Sequence, residues 1–255
     1  MSNIEKYQPE TDPWAVLKSF TDARIALGRT GVSVPLTEAL KFKLSHALAR
    51  DAVFLKLDPT ALAHAIENTG LQVVSLQSEA ANRNIYLQRP DLGRKLHHQS
   101  KAALQERAAL HFDIAICVAD GLSPLAIERH AIPVLTGLIP PLQEKGFSMA
   151  PVSIIEQGRV AIADEVGALL NAKLSLILIG ERPGLTSPDS MGAYITFNPA
   201  PGLTDEARNC ISNIRPKGLA YTAAVSKIMY IINEAFRLQL SGVQLKDKDA
   251  PSQLG

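Results

Sequence analysis

Four short apolar runs in the second half of the chain constrain its fold more than any other feature. They are "DIAICV" (113–118), "APVSIIEQ" (150–157), "LSLILIG" (174–180) and "AYITFN" (193–198). Each has the length and apolar density of a strand buried on both faces. Helical patterns separate the first three. Ser123 caps a helix that opens with Pro124, where a missing N–H costs nothing, and "IADEVGALLNA" is a short amphipathic helix. Strands alternating with helices give the expected fold class: α/β, a mostly parallel Rossmann-like sheet flanked by helices. In such sheets ligands sit outside the carboxyl ends of the strands. Two of these ends carry glycine and charge: Asp120-Gly121 after the first run, and Gly180-Glu181-Arg182 after the third.

The part before this sheet reads as helical. "TDPWAVLKSFTDARIAL" opens with Asp12 as an N-cap and Pro13 at the first helical position. "DPTALAHAIENTG" repeats the device with Asp58 and Pro59, and Gly70 supplies the stop. Between them Leu36, Leu40, Leu44, Ala47 and Leu48 recur at helical intervals. "LQVVSL" reads as a short strand, and a polar helix is expected from Asp91. A last helix, "GLAYTAAVSKIMYIINEAFRLQL", has an apolar side of Ala224, Ile228, Ile231, Ile232, Ala235 and Leu238. The expected organisation is a flexible N-terminus (1–11), a mainly helical portion (12–110), an α/β portion (111–245) and a flexible tail (246–255).

With 26 Lys+Arg against 25 Asp+Glu, the charge balance gives no reason for a nucleic-acid or anionic-membrane partner. The longest apolar run is about seven residues, against roughly 20 for a membrane span. The start lacks the basic-then-apolar layout of a secretory signal. Two cysteines make no disulfide framework and point to a reducing cytosol.

Ordinary catalytic motifs are missing. There is no GxGxxG and no phosphate loop ending in Gly-Lys-Ser/Thr. Ser123 follows Gly121 as in a nucleophile elbow, but Leu125 stands where the second glycine belongs, so Ser123 reads as a cap. Adjacent His97 and His98 make a poor metal pair, and no Cys or His spacing fits a zinc site. The surviving candidates are "GERPGL" and "RNCISNI". Glu181 and Arg182 read either as a surface ion pair closing a turn or as a strand-end carboxylate for a donor-rich ligand.

Several longer stretches resemble the light chain of ethanolamine ammonia-lyase. They are "ARIALGRTG", "NRNIYLQRPDLGRKL", "VADGLS", "GRVAIADEVGALLNAKLSLILIGERPGL" and "CISNI", in that order between Asp22 and Gly242. The resemblance implies one subunit of a two-chain lyase that converts ethanolamine to acetaldehyde and ammonia with adenosylcobalamin. The cofactor supplies radical chemistry, beginning with homolysis of its cobalt–carbon bond, and protein orients and shields it. The large chain would bind the amino alcohol and share the cofactor with the light chain. Carried over residue by residue, the family's light-chain cofactor contacts fall on Val160, Glu181 and Cys210. Arg182, Asp120 and Asn213 are secondary candidates, with bland alternatives as a loop ion pair, a loop cap and a turn. No catalytic residue and no metal ligand is expected from this chain. An Asp-x-His-x-x-Gly motif is absent, so the cofactor's own lower base should stay on cobalt.

The resemblance further implies a hetero-oligomer of light and heavy chains in the cytoplasm, either free or inside a bacterial microcompartment. Some family members carry a longer N-terminal extension associated with packaging, whereas about twelve residues precede the first predicted helix here. The residues alone leave two rivals open: a self-sufficient α/β small-molecule enzyme, and a non-catalytic structural protein of a metabolic compartment.

Overall fold

The computed structural model describes residues 12–106 and 111–245. The flexible ends expected at 1–11 and 246–255, and the end of the polar helix expected after Asp91, lie outside them. In chain order the elements are α1 (Leu36–Phe54), α2 (Pro59–Glu67), β1 (Val73–Gln77), α3 (Arg83–Gln88), α4 (His98–Gln105) and β2 (Phe112–Ala119). There follow α5 (Pro124–Glu144), β3 (Val152–Glu156), α6 (Ile162–Leu169), β4 (Ala172–Gly180), β5 (Met191–Phe197), β6 (Arg208–Ile214) and α7 (Tyr221–Leu238).

One six-stranded sheet runs in the order β1-β3-β2-β4-β5-β6. The first four strands in that order are parallel, and β5 and β6 add antiparallel to β4. The mostly parallel sheet expected from the alternation is present, with β1 contributed from the helical portion. Its two faces bury separate cores. On one, Ile116, Leu176 and Ile195 pack against Leu135 and Leu138 of α5 and Ile228 and Ile232 of α7. On the other, Cys117, Ile177 and Ile155 meet Leu104 of α4 and Ile162 and Val166 of α6. Cys117 is fully buried, and burial pushes its thiol pKa up, which keeps it inert.

The helix caps follow the sequence. Asp58 accepts from Thr60 N and Ala61 N at 3.0 Å, with Pro59 opening α2. Ser123 Oγ accepts from Ala126 N at 3.3 Å and donates to Pro188 O at 2.8 Å.

Three expectations need correction. The helix expected from Asp12 is only a five-residue 3-10 turn, Ala15–Ser19, that buries nothing. Asp12 does accept from Trp14 N at 2.9 Å, but a cap cannot extend a helix whose apolar face has nothing to pack on. The polar helix begins at His98, not Asp91; a 3-10 turn, Leu92–Arg94, intervenes. Gly93 O accepts from Arg159 N at 2.7 Å, so this turn is committed to packing under the β3–α6 loop. Finally, "RNCISNI" forms strand β6, which its polar composition concealed.

The periodic leucines of α1 also face outward. Leu36 is 73% exposed, Leu40 54%, Leu44 61% and Leu48 50%. Trp14, Phe20, Val32, Val34, Phe42 and Phe54 are exposed beside them in sequence. Together they leave a run of large apolar side chains open to solvent.

Candidate functional site

The chain leaves β2 through α5 towards β3 on one side, then crosses back through α6 to β4 on the other. The topological switch point therefore lies between β2 and β4, at their carboxyl ends. The Asp120–Gly121 and Gly180–Glu181 loops meet there. Leu122 N donates to Gly180 O at 2.9 Å. Gly121 has φ +56°, and a Cβ on it would stand 2.2 Å from Gly180 O. A Cβ on Gly180 would stand 2.1 Å from Ser123 O. Only glycines let these loops pack back to back.

A cleft of about 440 Å³ opens above them, lined by Tyr86, Leu122, Arg159, Val160, Glu181 and Tyr194 among others. Its side wall continues onto the sheet. Tyr194 stands opposite Ile177 on β4 and opposite Cys210 on β6, so the three share a face. α4 and α6 cover that face over the parallel strands, but on β6 Cys210 and Ser212 are exposed. Burial pushes up the Tyr194 phenol, helped by its contact with Cys210. It also pushes up the Cys210 thiol. Both groups are therefore neutral hydrogen-bonding groups at pH 7, not anions.

Glu181 is the most constrained of the candidates. Its backbone N donates to Ser190 O at 2.9 Å. The Ser190 hydroxyl and the Asn213 N–H, the latter at 3.1 Å, donate to Oε2, and the Ser212 hydroxyl donates to Oε1. Among the described residues Arg182 forms no ion pair with Glu181, so the surface-pair reading does not hold. A carboxylate offers about four acceptor positions, so roughly one, on Oε1, has no donor among the described residues.

The structure brings Val160 and Glu181 into one cleft and puts Cys210 on the adjoining bare strand, across from a wall residue. Asp120 lies beneath, 1% exposed, accepting from Gly158 N at 3.1 Å. Burial pushes it up to about 6 against the lowering pull of Arg83. Asn213 has φ +62° and holds Arg215 Nε at 2.8 Å, a turn residue whose N–H serves Glu181. Sequence reading missed Tyr86, Arg159, Tyr194, Ser190 and Ser212. Tyr86 is fully buried with two guanidiniums against its ring, Arg83 Cζ 4.8 Å and Arg159 Cζ 4.2 Å from the centroid. Recognising β6 as a strand would have exposed Ser212 and Tyr194. Among the described residues no group of three or more His, Cys, Asp or Glu is placed to hold a metal ion.

The sequence matches the family model described as Ethanolamine ammonia-lyase light chain (EutC) over residues 11–246. The chain belongs to the ethanolamine ammonia-lyase light-chain family. It is 54% identical over 244 residues to the ethanolamine ammonia-lyase small subunit of Azotobacter vinelandii, covering 94% of this chain and 90% of that one. To the small subunit of Ralstonia nicotianae it is 54% identical over 239 residues, 92% and 88% of the two chains. To that of Pseudomonas fluorescens it is 52% identical over 240 residues, 93% and 87%. The switch-point cleft is thus a feature of a lyase light chain, and no helix among its described residues is long and apolar enough to cross a membrane.

Proposed function

We propose that this light chain supplies one wall of an adenosylcobalamin site, shared with a large chain, in the conversion of ethanolamine to acetaldehyde and ammonia. The observation that carries the reading is the pairing of a switch-point cleft with a bare, hydroxyl-lined strand face. When bound, the cofactor supplies the radical chemistry of the rearrangement. The residues fit its chemistry. A corrin rim is a fringe of neutral amides with many N–H donors, and this surface offers them acceptors: the open position on Glu181, Ser212 Oγ and the Tyr194 oxygen. The three donors on Glu181 fix its carboxylate in place, so accepting from an amide costs little reorganisation. Val160 presents a small apolar side chain ahead of α6, and Cys210 a compact neutral one.

Size argues for a partner. About 440 Å³ suits a drug-sized group; a corrin with its nucleotide tail must extend beyond it. The exposed apolar surface of α1 and the preceding segment is the place for that partner to dock, and the small-subunit name of the relatives implies one. Burying the remaining exposed surface of Leu40, Leu44 and Phe20 there supplies roughly 1–2 kcal/mol for each side chain.

The test is co-expression with the large chain and an assay of acetaldehyde formation with and without adenosylcobalamin. Activity should need both chains and the cofactor. Turnover by this chain alone, or cofactor-independent turnover by the pair, contradicts the proposal.

A further inference from the structure

We propose that Arg83 is a positioning residue that couples α1 to the two loops flooring the cleft, so that docking of the large chain on α1 sets the cleft's shape. This rests on the partner reading above. Arg83 is the first residue of α3, held there by its Asn82 cap, which accepts from Ile85 N at 3.1 Å. Its Nε donates to Val53 O at 2.6 Å. Val53 lies in the last turn of α1, where carbonyls lack intrahelical partners. From the other end of the same plane, Nη1 donates to Gly121 O at 2.7 Å, with Asp120 Oδ2 at 3.5 Å and Gln157 Oε1 at 3.4 Å. Asp120 in turn holds Gly158 N, two residues before Val160.

A guanidinium is a rigid fork, so its two ends move together. A displacement at the end of α1 therefore reaches the β2–α5 and β3–α6 loops without an intervening flexible torsion. The group is not placed to satisfy itself: Nη2 is buried with no hydrogen-bond partner, a cost that calls for a reason. Connecting three elements supplies one. The exposed leucines lie along α1 from Leu36 to Leu48, ahead of the turn that Arg83 holds, so a partner docked on them bears on the element tied to the cleft floor.

Hydrogen exchange of the full chain, free and in complex with the large chain, tests this in wild type and Arg83→Lys. Lysine keeps the charge beside Asp120 but cannot span both ends. In wild type, docking should slow exchange in α1 and also in residues 120–122 and 157–159, by about tenfold. In Arg83→Lys it should slow α1 alone, and the apparent Kd for adenosylcobalamin should rise about tenfold with assembly unchanged. If Arg83→Lys does not fold, Arg83→Gln carries the same comparison, because its shorter amide cannot bridge Val53 O and Gly121 O. Loops that respond equally in wild type and variant, or do not respond in wild type, overturn the proposal. The exchange readout needs no corrinoid, so a complex that docks yet never binds one sinks the cofactor reading and leaves this inference standing.

Discussion

Ser212 on β6 donates its hydroxyl to Glu181 Oε1, reaching past β5 over Gly192. A Cβ on Gly192 would stand 3.0 Å from that same oxygen. The carboxylate thus lies across a strand that had to lack a side chain there. It sits where the cleft turns into the bare face.

Glu181→Gln should therefore act on cofactor binding. The amide nitrogen leaves one of the three donors without an acceptor and removes the charge that strengthens these bonds. The apparent Kd for adenosylcobalamin should rise roughly tenfold, while KM for ethanolamine changes by less than about twofold. Equilibrium titration of the complex and steady-state kinetics separate the two.

Ser123→Ala should cost stability and spare activity. It removes the cap of α5 and the donor to Pro188 O, together worth about 1–2 kcal/mol. Thermal unfolding should shift down, with turnover per folded complex unchanged. A loss of turnover without a loss of stability would restore Ser123 as a catalytic candidate.

Asp120 predicts a pH dependence. Burial raises it from 3.8 to about 6, so its contribution to folding is fully present below 3.8 and is lost as pH rises through about 6. The full shift is on the order of 3 kcal/mol, most of it expressed between pH 4 and pH 7. Asp120→Asn stays neutral throughout. The stability of the variant relative to wild type should therefore increase by on the order of 2 kcal/mol between pH 4 and pH 7, measured by denaturant unfolding of the free chain.

Leu40→Glu and Leu44→Glu should abolish assembly and leave the free chain intact. Both side chains are more than half exposed, so folding loses within about 0.5 kcal/mol for each. Size-exclusion of co-expressed chains should show the light chain unbound, with an unchanged melting temperature.

The parallel strands and the Asp58 and Ser123 caps were legible because local chemistry decides them. The switch point followed from strand order, which alternation alone did not give. β6 was missed because "RNCISNI" borders solvent on one face and the other carries only Ile211 and Ile214, too sparse a pattern for a strand. The leucines of α1 were read correctly as one helical stripe, yet a stripe looks the same whether its own chain or another covers it. Of the site, Glu181 stood out as a charge ending a buried strand. Val160 and Cys210 carry no such mark and came only from the resemblance. Tyr86 and Arg83 stayed hidden because their roles depend on neighbours 30 or more residues away.

The most direct measurement is a structure of the assembled light and large chains with adenosylcobalamin bound. The corrin edge should touch Glu181 and reach Val160 and Cys210, with α1 under the large chain. A corrinoid held entirely within the large chain, clear of the β2–β4 switch point, would contradict the account.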